Sequence, residues 1–495
     1  SYNMMIDKYF IMATPVMFNS GTVLPQLASC FLQYMGDDID SITDTFKECS
    51  KISKLAGGIG ICLSDVRSSG SHIKSTGGKS NGIVPIMKIL NDLSRLFNQG
   101  GKRKGSFAVY IEPWHADINE FLISRTKRQV EENLKCLDMQ LALWVPNLFM
   151  EKLINNEDWY LMCPDTCKGL TSSYGDDFNK LYNEYVACGK YTKKLPAREL
   201  FQLIAETMIE AGSPYILFKD HINSKNNQKN LGTIKCSNLC AEIVEYIDEN
   251  ETAVCNLGNI CLGNCYNGDE KEFYDRIYHC TQTLVENLNN NIDSTHYPIE
   301  KARNSNVKHR PIGIGIQGLA DVFIKMKVSF VSDKAREVNK KIAATMYYAA
   351  LEKSHELAMQ YGSYYSFEGS PISYGILQPH MWGKKTEEFE DIGRDWNVLI
   401  EKCKKGMRNS LLLAFPPTQT TSHIMGQTEC FEAITQLMYS KGTLAGNFQV
   451  FNKYFQEDMI ACNLWNETIR NKIIVNNGSI QDIKEIPDNI KDIYK

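Results

Sequence analysis

Short apolar runs of strand type, Ser106-Phe-Ala-Val-Tyr-Ile111 and Gln140-Leu-Ala-Leu-Trp-Val145, alternate along the chain with stretches of helical spacing such as Ala335 to Tyr361. Runs of the first kind are too short for a helix and the second too long for a strand, so their alternation predicts an α/β architecture. The polar stretches 219–230 and 264–273 read as loops rather than linkers, and neither a 20–50-residue repeat nor a low-complexity block is present. With 495 residues and 43% hydrophobic content the chain can bury a sizeable core. One continuous unit is expected.

The charge balance narrows the partners. A net charge of −4, from 54 basic and 58 acidic residues, gives no global field for nucleic acid or an anionic membrane. Any anionic ligand must therefore be held locally. No apolar run approaches membrane-span length and no signal peptide is read at the N-terminus, so a membrane is not expected. The 16 cysteines are scattered, unlike a small secreted disulfide scaffold, which points to a reducing, cytoplasmic compartment. Cys163-Pro-Asp-Thr-Cys167 has half the spacing of a zinc site without a second pair, so no metal is assigned.

Asn238-Leu-Cys-Ala-Glu242 sets an amide, a thiol and a carboxylate at alternate positions. If the segment were extended, all three side chains would leave one face. A thiol offers hydrogen-atom or nucleophile chemistry, a carboxylate moves protons, and an amide both donates and accepts hydrogen bonds. Taken alone, the same pattern also describes a buried cysteine beside a surface glutamate.

The neighbours carry more. Cys255 lies in Thr252-Ala-Val-Cys-Asn-Leu-Gly258 and Cys30 in Pro25-Gln-Leu-Ala-Ser-Cys-Phe-Leu32. These contexts, with Lys235-Cys-Ser-Asn-Leu-Cys-Ala-Glu-Ile-Val-Glu-Tyr246, closely resemble the large catalytic subunit of class I ribonucleoside-diphosphate reductase, of the type found in eukaryotes and large DNA viruses. The resemblance continues through Ala13-Thr-Pro-Val-Met-Phe-Asn-Ser-Gly21, Ala56-Gly-Gly-Ile-Gly60, Ile111-Glu-Pro-Trp-His115, Arg310-Pro-Ile-Gly-Ile-Gly-Ile-Gln-Gly318 and Pro417-Thr-Gln-Thr-Thr421. It covers essentially the whole chain.

The fold implied is a ten-stranded α/β barrel of two five-stranded halves, residues 1–235 and 263–495, with a finger loop and redox cysteine in 236–262. The resemblance also implies a core fragment or one piece of a split protein. It would lack an N-terminal ATP-cone and a C-terminal tyrosine pair with a reducing Cys-x-x-Cys tail. By the same resemblance Cys240 becomes the thiyl radical, Glu242 takes a substrate proton, Asn238 orients hydroxyls, and Cys30 with Cys255 forms the redox pair. Substrate-lining positions would be Thr14, Ser29, Gly58 and the turn Pro417, Thr418, Gln419, Thr420 and Thr421, the last a reasonable helix N-terminus for a diphosphate. A plain helix cap is the other reading of that turn.

Asp38, Ile39, Asp40, Lys54, Arg67, Lys74 and Ser75 match a specificity site for a deoxynucleoside triphosphate or ATP at a homodimer interface. Gln99 and Arg103, in Gln99-Gly-Gly-Lys-Arg103, would carry the signal to the reaction centre. No cofactor is expected on this chain itself. The implied partners are a metal-containing small subunit that generates the radical and a thioredoxin or glutaredoxin. Gly313-Ile-Gly-Ile-Gln-Gly318 matches a dinucleotide fingerprint, but Val307-Lys-His-Arg-Pro311 before it is no apolar strand, so these glycines are read as packing positions. Two alternatives stay open: a glycyl-radical enzyme, which shares a radical cysteine, and a pseudo-reductase kept as a binding scaffold.

Overall fold

The computed structural model describes residues 2–97, 105–127, 134–443 and 446–495. Nine strands form its two main sheets: β1 (Phe10–Met12), β2 (Cys30–Tyr34), β3 (Gly58–Cys62), β4 (Phe107–Ile111), β5 (Gln140–Val145), β6 (Tyr215–Phe218), β7 (Ala253–Cys255), β8 (Leu257–Cys261) and β9 (Gly313–Gln317). The larger sheet has six strands in the order β6-β5-β4-β3-β2-β7. Its first five are mutually parallel, and β7 joins antiparallel to β2. Parallel neighbours require crossovers, which is why helices intervene between these strands.

The two faces of this sheet differ by the period of two. Phe31, Ile59, Ile61, Val109, Ile111, Leu141 and Leu143 point to one side and are buried under helices that include α1 (Ile39–Lys54) and α2 (Ile83–Leu96). Cys30, Leu32, Cys62, Ala108, Tyr110, Ala142 and Trp144 point to the other, where they meet Ile234, Cys236, Leu239 and Ile243 of a single connecting segment. Each large side chain buried here contributes roughly 1.5–3 kcal/mol. That segment, not a helix, covers the second face.

One residue, Asn256, separates β7 from β8, so the chain passes directly from the larger sheet into a second, β1-β8-β9. Residues 411–414 extend it beside β9: Ile312 N donates to Leu411 O, and Ile314 N to Leu412 O. The long helices α3 (Glu270–Ser294) and α4 (Asp333–Tyr361) bury this sheet's outer side, and both are capped, by Asp269 and Ser332 side chains. Among the described residues no sheet closes on itself, so the architecture observed is mixed α/β rather than a hydrogen-bonded closed barrel.

Local expectations fared unevenly. The two apolar runs are strands β4 and β5, and the helical stretch is α4. Of the two polar loops, 219–230 begins with a helix at Lys219–Ser224, and 264–273 overlaps helix Leu262–Cys265 and the start of α3. Lys219 explains the first: it is fully buried and paired with Glu112 at 2.8 Å, so a polar letter there is a core contact. No helix among the described residues is long and apolar enough to cross a membrane.

Candidate active site

Residues 234–243 lie across the inner face of the larger sheet and are fastened at several points. Trp144 Nε1 donates to Ile234 O (3.1 Å), Asn223 Nδ2 donates to the same oxygen (3.0 Å), and Tyr110 OH donates to Asn238 O (2.6 Å). Glycine makes the approach possible. A Cβ on Gly60 would stand 2.1 Å from Ser237 O and 3.0 Å from Asn238 Cα, and one on Gly58 would stand 3.0 Å from both Cys30 Sγ and Leu239 Cδ2.

The expected extended geometry of 238–242 is not what forms. Leu239, Cys240 and Ala241 make a turn in which Ala241 takes φ +68°, a left-handed conformation costly for a residue with a Cβ. The turn returns Glu242 to Asn238: Asn238 Nδ2 donates to Glu242 Oε2 at 2.7 Å, while Asn238 Oδ1 accepts from Ile243 N at 3.1 Å. Cys240 sits at the exposed tip, near Tyr215, and the amide and carboxylate are fixed behind it. The three groups are brought together by a bonded turn instead of by alternation.

The two distant cysteines meet. Cys255 is in register with Cys30 across the antiparallel β7–β2 pair, both are buried, and their thiols are hydrogen-bonded. Burial first, and then the Cys30 hydrogen bond, push the Cys255 thiol well above its ordinary range. A neutral dithiol is thereby favoured over a thiolate. Cys30 pairs on its other side with Gly58, whose N–H donates to Ser29 O, and Ser29 N donates to Cys255 O. Ser29, Cys30, Gly58 and Cys255 thus form one patch beneath Leu239.

Thr14 lies just past β1, at the start of the short helix Thr14–Asn19. Thr418 and Thr421, expected to offer hydroxyls to a diphosphate, are buried and spend them internally. Thr418 Oγ1 accepts from Cys430 N (2.7 Å), and Thr421 Oγ1 donates to Gln317 Oε1 (3.1 Å). Pro417, Gln419 and Thr420 are exposed, where the helix Gln419–Met425 begins. Its first backbone N–H groups, rather than those two hydroxyls, are what this turn offers an anion.

The effector positions separate into two groups. Asp38 caps α1 by accepting from Ser41 N, with Ile39 and Asp40 exposed beside it, whereas Lys54 lies in the last turn of the same 16-residue helix. That puts roughly 22 Å between the two ends at 1.5 Å per residue. Arg67 is held by Asp37, through Nε at 2.8 Å and Nη2 at 2.8 Å. Lys74 and Ser75 are exposed near a short hairpin of His72–Ile73 with Gly78–Lys79. Gln99 and Arg103 fall outside the described residues. Of the fingerprint glycines, Gly313 and Gly315 are residues of β9 and pack against Leu257, Ala414 and Pro416, whereas Gly318, at φ +79°, precedes the helix Leu319–Lys325.

Three groups at the site escaped the sequence reading. Tyr110, a lone tyrosine in an apolar strand, anchors the finger. Glu245, an acid inside the apolar run Ile243-Val-Glu-Tyr246, is buried, and Cys430, whose N–H donates to Thr418 Oγ1, lies within electrostatic reach of Glu242. For Tyr110 and Glu245 the signal was a polar residue interrupting an apolar run; Cys430, in Gln427-Thr-Glu-Cys-Phe-Glu432, carried none.

A loop bearing a thiol and a carboxylate thus lies over a buried dithiol on the inner face of an α/β sheet. Residues 28–495 match the family described as ribonucleotide reductase, barrel domain, and the chain belongs to that family. It is 49% identical over 499 residues to the ribonucleoside-diphosphate reductase large subunit of Plasmodium falciparum (isolate Dd2), covering 100% of this chain and 61% of that protein. The large subunit of Danio rerio is 48% identical, with 100% and 62% covered, and that of Arabidopsis thaliana 46% identical, with 100% and 63% covered. The chain therefore spans about three fifths of the length of these relatives.

Proposed function

We propose that this chain is the catalytic core of a ribonucleoside-diphosphate reductase, converting ribonucleoside diphosphates to 2′-deoxyribonucleoside diphosphates. The observation that carries the reading is the in-register Cys30–Cys255 thiol pair beneath a turn in which Asn238 is bonded to Glu242. A dithiol in contact can become a disulfide, releasing two electrons and two protons. Those balance loss of the 2′-OH as water and its replacement by hydrogen.

In this reading Cys240, as a thiyl radical, takes the 3′ hydrogen and later returns it. Glu242 accepts the 3′-OH proton as the 2′-OH leaves, and Asn238 aligns the hydroxyls. Ser29, Gly58, Thr14 and the Pro417–Thr421 turn line the substrate, the turn through its backbone donors. The finer fold we infer is a ten-stranded barrel of two halves, 1–235 and 263–495, around the 236–262 finger and redox cysteine. In its favour are the direct passage of the chain from the larger sheet into the second through Asn256 and the segment laid across the inner face. The radical would come from a metal-containing small subunit and the reducing equivalents from thioredoxin or glutaredoxin, in the cytoplasm. Asp38, Ile39, Asp40, Lys54, Arg67, Lys74, Ser75, Gln99 and Arg103 would serve a dNTP or ATP effector across a homodimer. The distance between the ends of α1 suits a site completed by the second copy.

The test is reduction of CDP in the complete enzyme with its small subunit and excess dithiol. Cys240→Ser should abolish all chemistry, whereas Cys255→Ser should still release the 3′ hydrogen and then stall. Full turnover by the Cys255 variant would remove the redox assignment.

A further inference from the structure

A second carboxyl stands behind the thiol pair. Glu245 is 3% exposed, and it accepts a hydrogen bond from the backbone N–H of Val254, the residue immediately before Cys255. It also lines, with Glu242, a cavity of about 500 Å³ bounded on one side by β6 and on the other by residues 409–413. Both glutamates lie within electrostatic reach of the Cys255 thiol. Glu242 is already committed to Asn238, so its carboxylate faces the finger. Glu245 has a different setting. The other ionisable groups around it are His221, Lys225 and Tyr347 across the cavity, and Cys30 behind Cys255. Burial pushes its carboxyl up to about 8, so near neutral pH most of it is a protonated acid.

A disulfide between Cys30 and Cys255 must be reopened before another turnover, and the sulfur that leaves does so as a thiolate in a buried, apolar place. That charge is costly there. Resting on the redox reading above, we propose that Glu245 supplies the proton to Cys255 when the Cys30–Cys255 disulfide is re-reduced. A thiolate of an external dithiol attacks Cys30 Sγ, the S–S bond breaks, and its electron pair leaves on Cys255 Sγ. Glu245 protonates that sulfur, directly or through one water, and becomes a carboxylate. The second thiol of the reductant then attacks as its thiolate and displaces Cys30 from the mixed disulfide, its proton passing to the departing Cys30 sulfur, which leaves the reductant oxidised. Glu245 regains its proton from solvent through the cavity. Two electrons move from the dithiol to the protein pair, and every proton is accounted for.

The experiment uses this chain. Diamide oxidises Cys30 and Cys255, dithiothreitol reduces the product between pH 6 and 10, and alkylation followed by mass spectrometry gives the rate, normalised to dithiothreitol thiolate. Glu245→Gln should slow the normalised rate on the order of tenfold or more at pH 6–7 and meet the parent above about pH 9, where the parent carboxyl has ionised. Convergence at high pH also reports an intact fold. Glu245→Asp, which keeps an acid, should recover part of the low-pH rate. Superimposable profiles for the parent and Glu245→Gln would overturn the proposal. If the parent forms no Cys30–Cys255 disulfide at all, the redox reading fails instead, and the role of Glu245 falls with it.

Discussion

Tyr110 donates a 2.6 Å hydrogen bond to the backbone carbonyl of Asn238, joining the middle of a central parallel strand to the loop that bears the candidate reaction centre. Both partners are buried, so neither group has water as a substitute. Losing one side leaves a desolvated polar atom, at a cost of about 1–3 kcal/mol. This loop is therefore held by the sheet itself, and substitutions far from Cys240 in sequence should move it.

Gly60→Ala is the sharpest such substitution. The new Cβ would meet Ser237 O at 2.1 Å, and neither β3 nor the finger has room to retreat without breaking the Tyr110 bond. We expect a loss of about 3 kcal/mol or more in urea unfolding, with the Cys30–Cys255 disulfide forming more slowly. Unchanged stability would show that the finger is not pressed against β3.

The strands that propensity could find were β4 and β5, whose apolar letters reflect burial on both faces. β3 and β9 escaped it, because Gly58, Gly60, Gly313 and Gly315 are there to admit neighbouring chain, and glycine carries no strand signal. The candidate reaction centre was legible as residue types but not as geometry. Nothing local says that Ala241 turns to φ +68°, and that turn is what brings Glu242 back to Asn238. The thiol pair rests on pairing between β2 and β7, a long-range event that spacing does not encode. The internal bonding of Thr418 and Thr421 was not legible, because a hydroxyl in a turn looks the same whether it faces a ligand or, as here, Cys430 N and Gln317.

Lys219 and Glu112 form a buried pair supported by Trp114 Nε1 and by Leu170 O. Lys219→Met should cost about 3–5 kcal/mol, because it strands a carboxylate in the core. The double variant Lys219→Met with Glu112→Leu should recover much of that in the same unfolding assay. Additive losses would contradict a direct pair.

Glu251 gives an acid-side prediction. Burial alone would raise its carboxyl, but hydrogen bonds from His309 and Lys308 outweigh it and hold the group down at about 2. A carboxyl depressed on folding adds stability above its unfolded value near 4.5, and that stability is lost as pH falls toward 2. Glu251→Gln should therefore be less stable than the parent by about 2 kcal/mol at pH 6–7. The gap should close between pH 4.5 and 2. A pH-independent difference would assign the effect to packing.

Arg67 and Asp37 make a last case, in which an expected effector contact is already occupied. The guanidinium donates to Asp37 through Nε and Nη2, and Asp37 Oδ1 also accepts from Arg67 N. A nucleotide phosphate would have to compete with this carboxylate for the same donors, so Asp37 sets the availability of Arg67. Arg67→Ala should weaken binding of a labelled deoxynucleoside triphosphate. Asp37→Asn, which keeps the shape but removes the competing charge, should strengthen it several-fold. Asp38→Ala should act in two ways: it removes the α1 cap, with about 1 kcal/mol of stability, and it weakens effector binding by removing an acceptor at that site. Equal affinities in the Arg67 and Asp37 variants and the parent would mean that the effector does not reach this arginine.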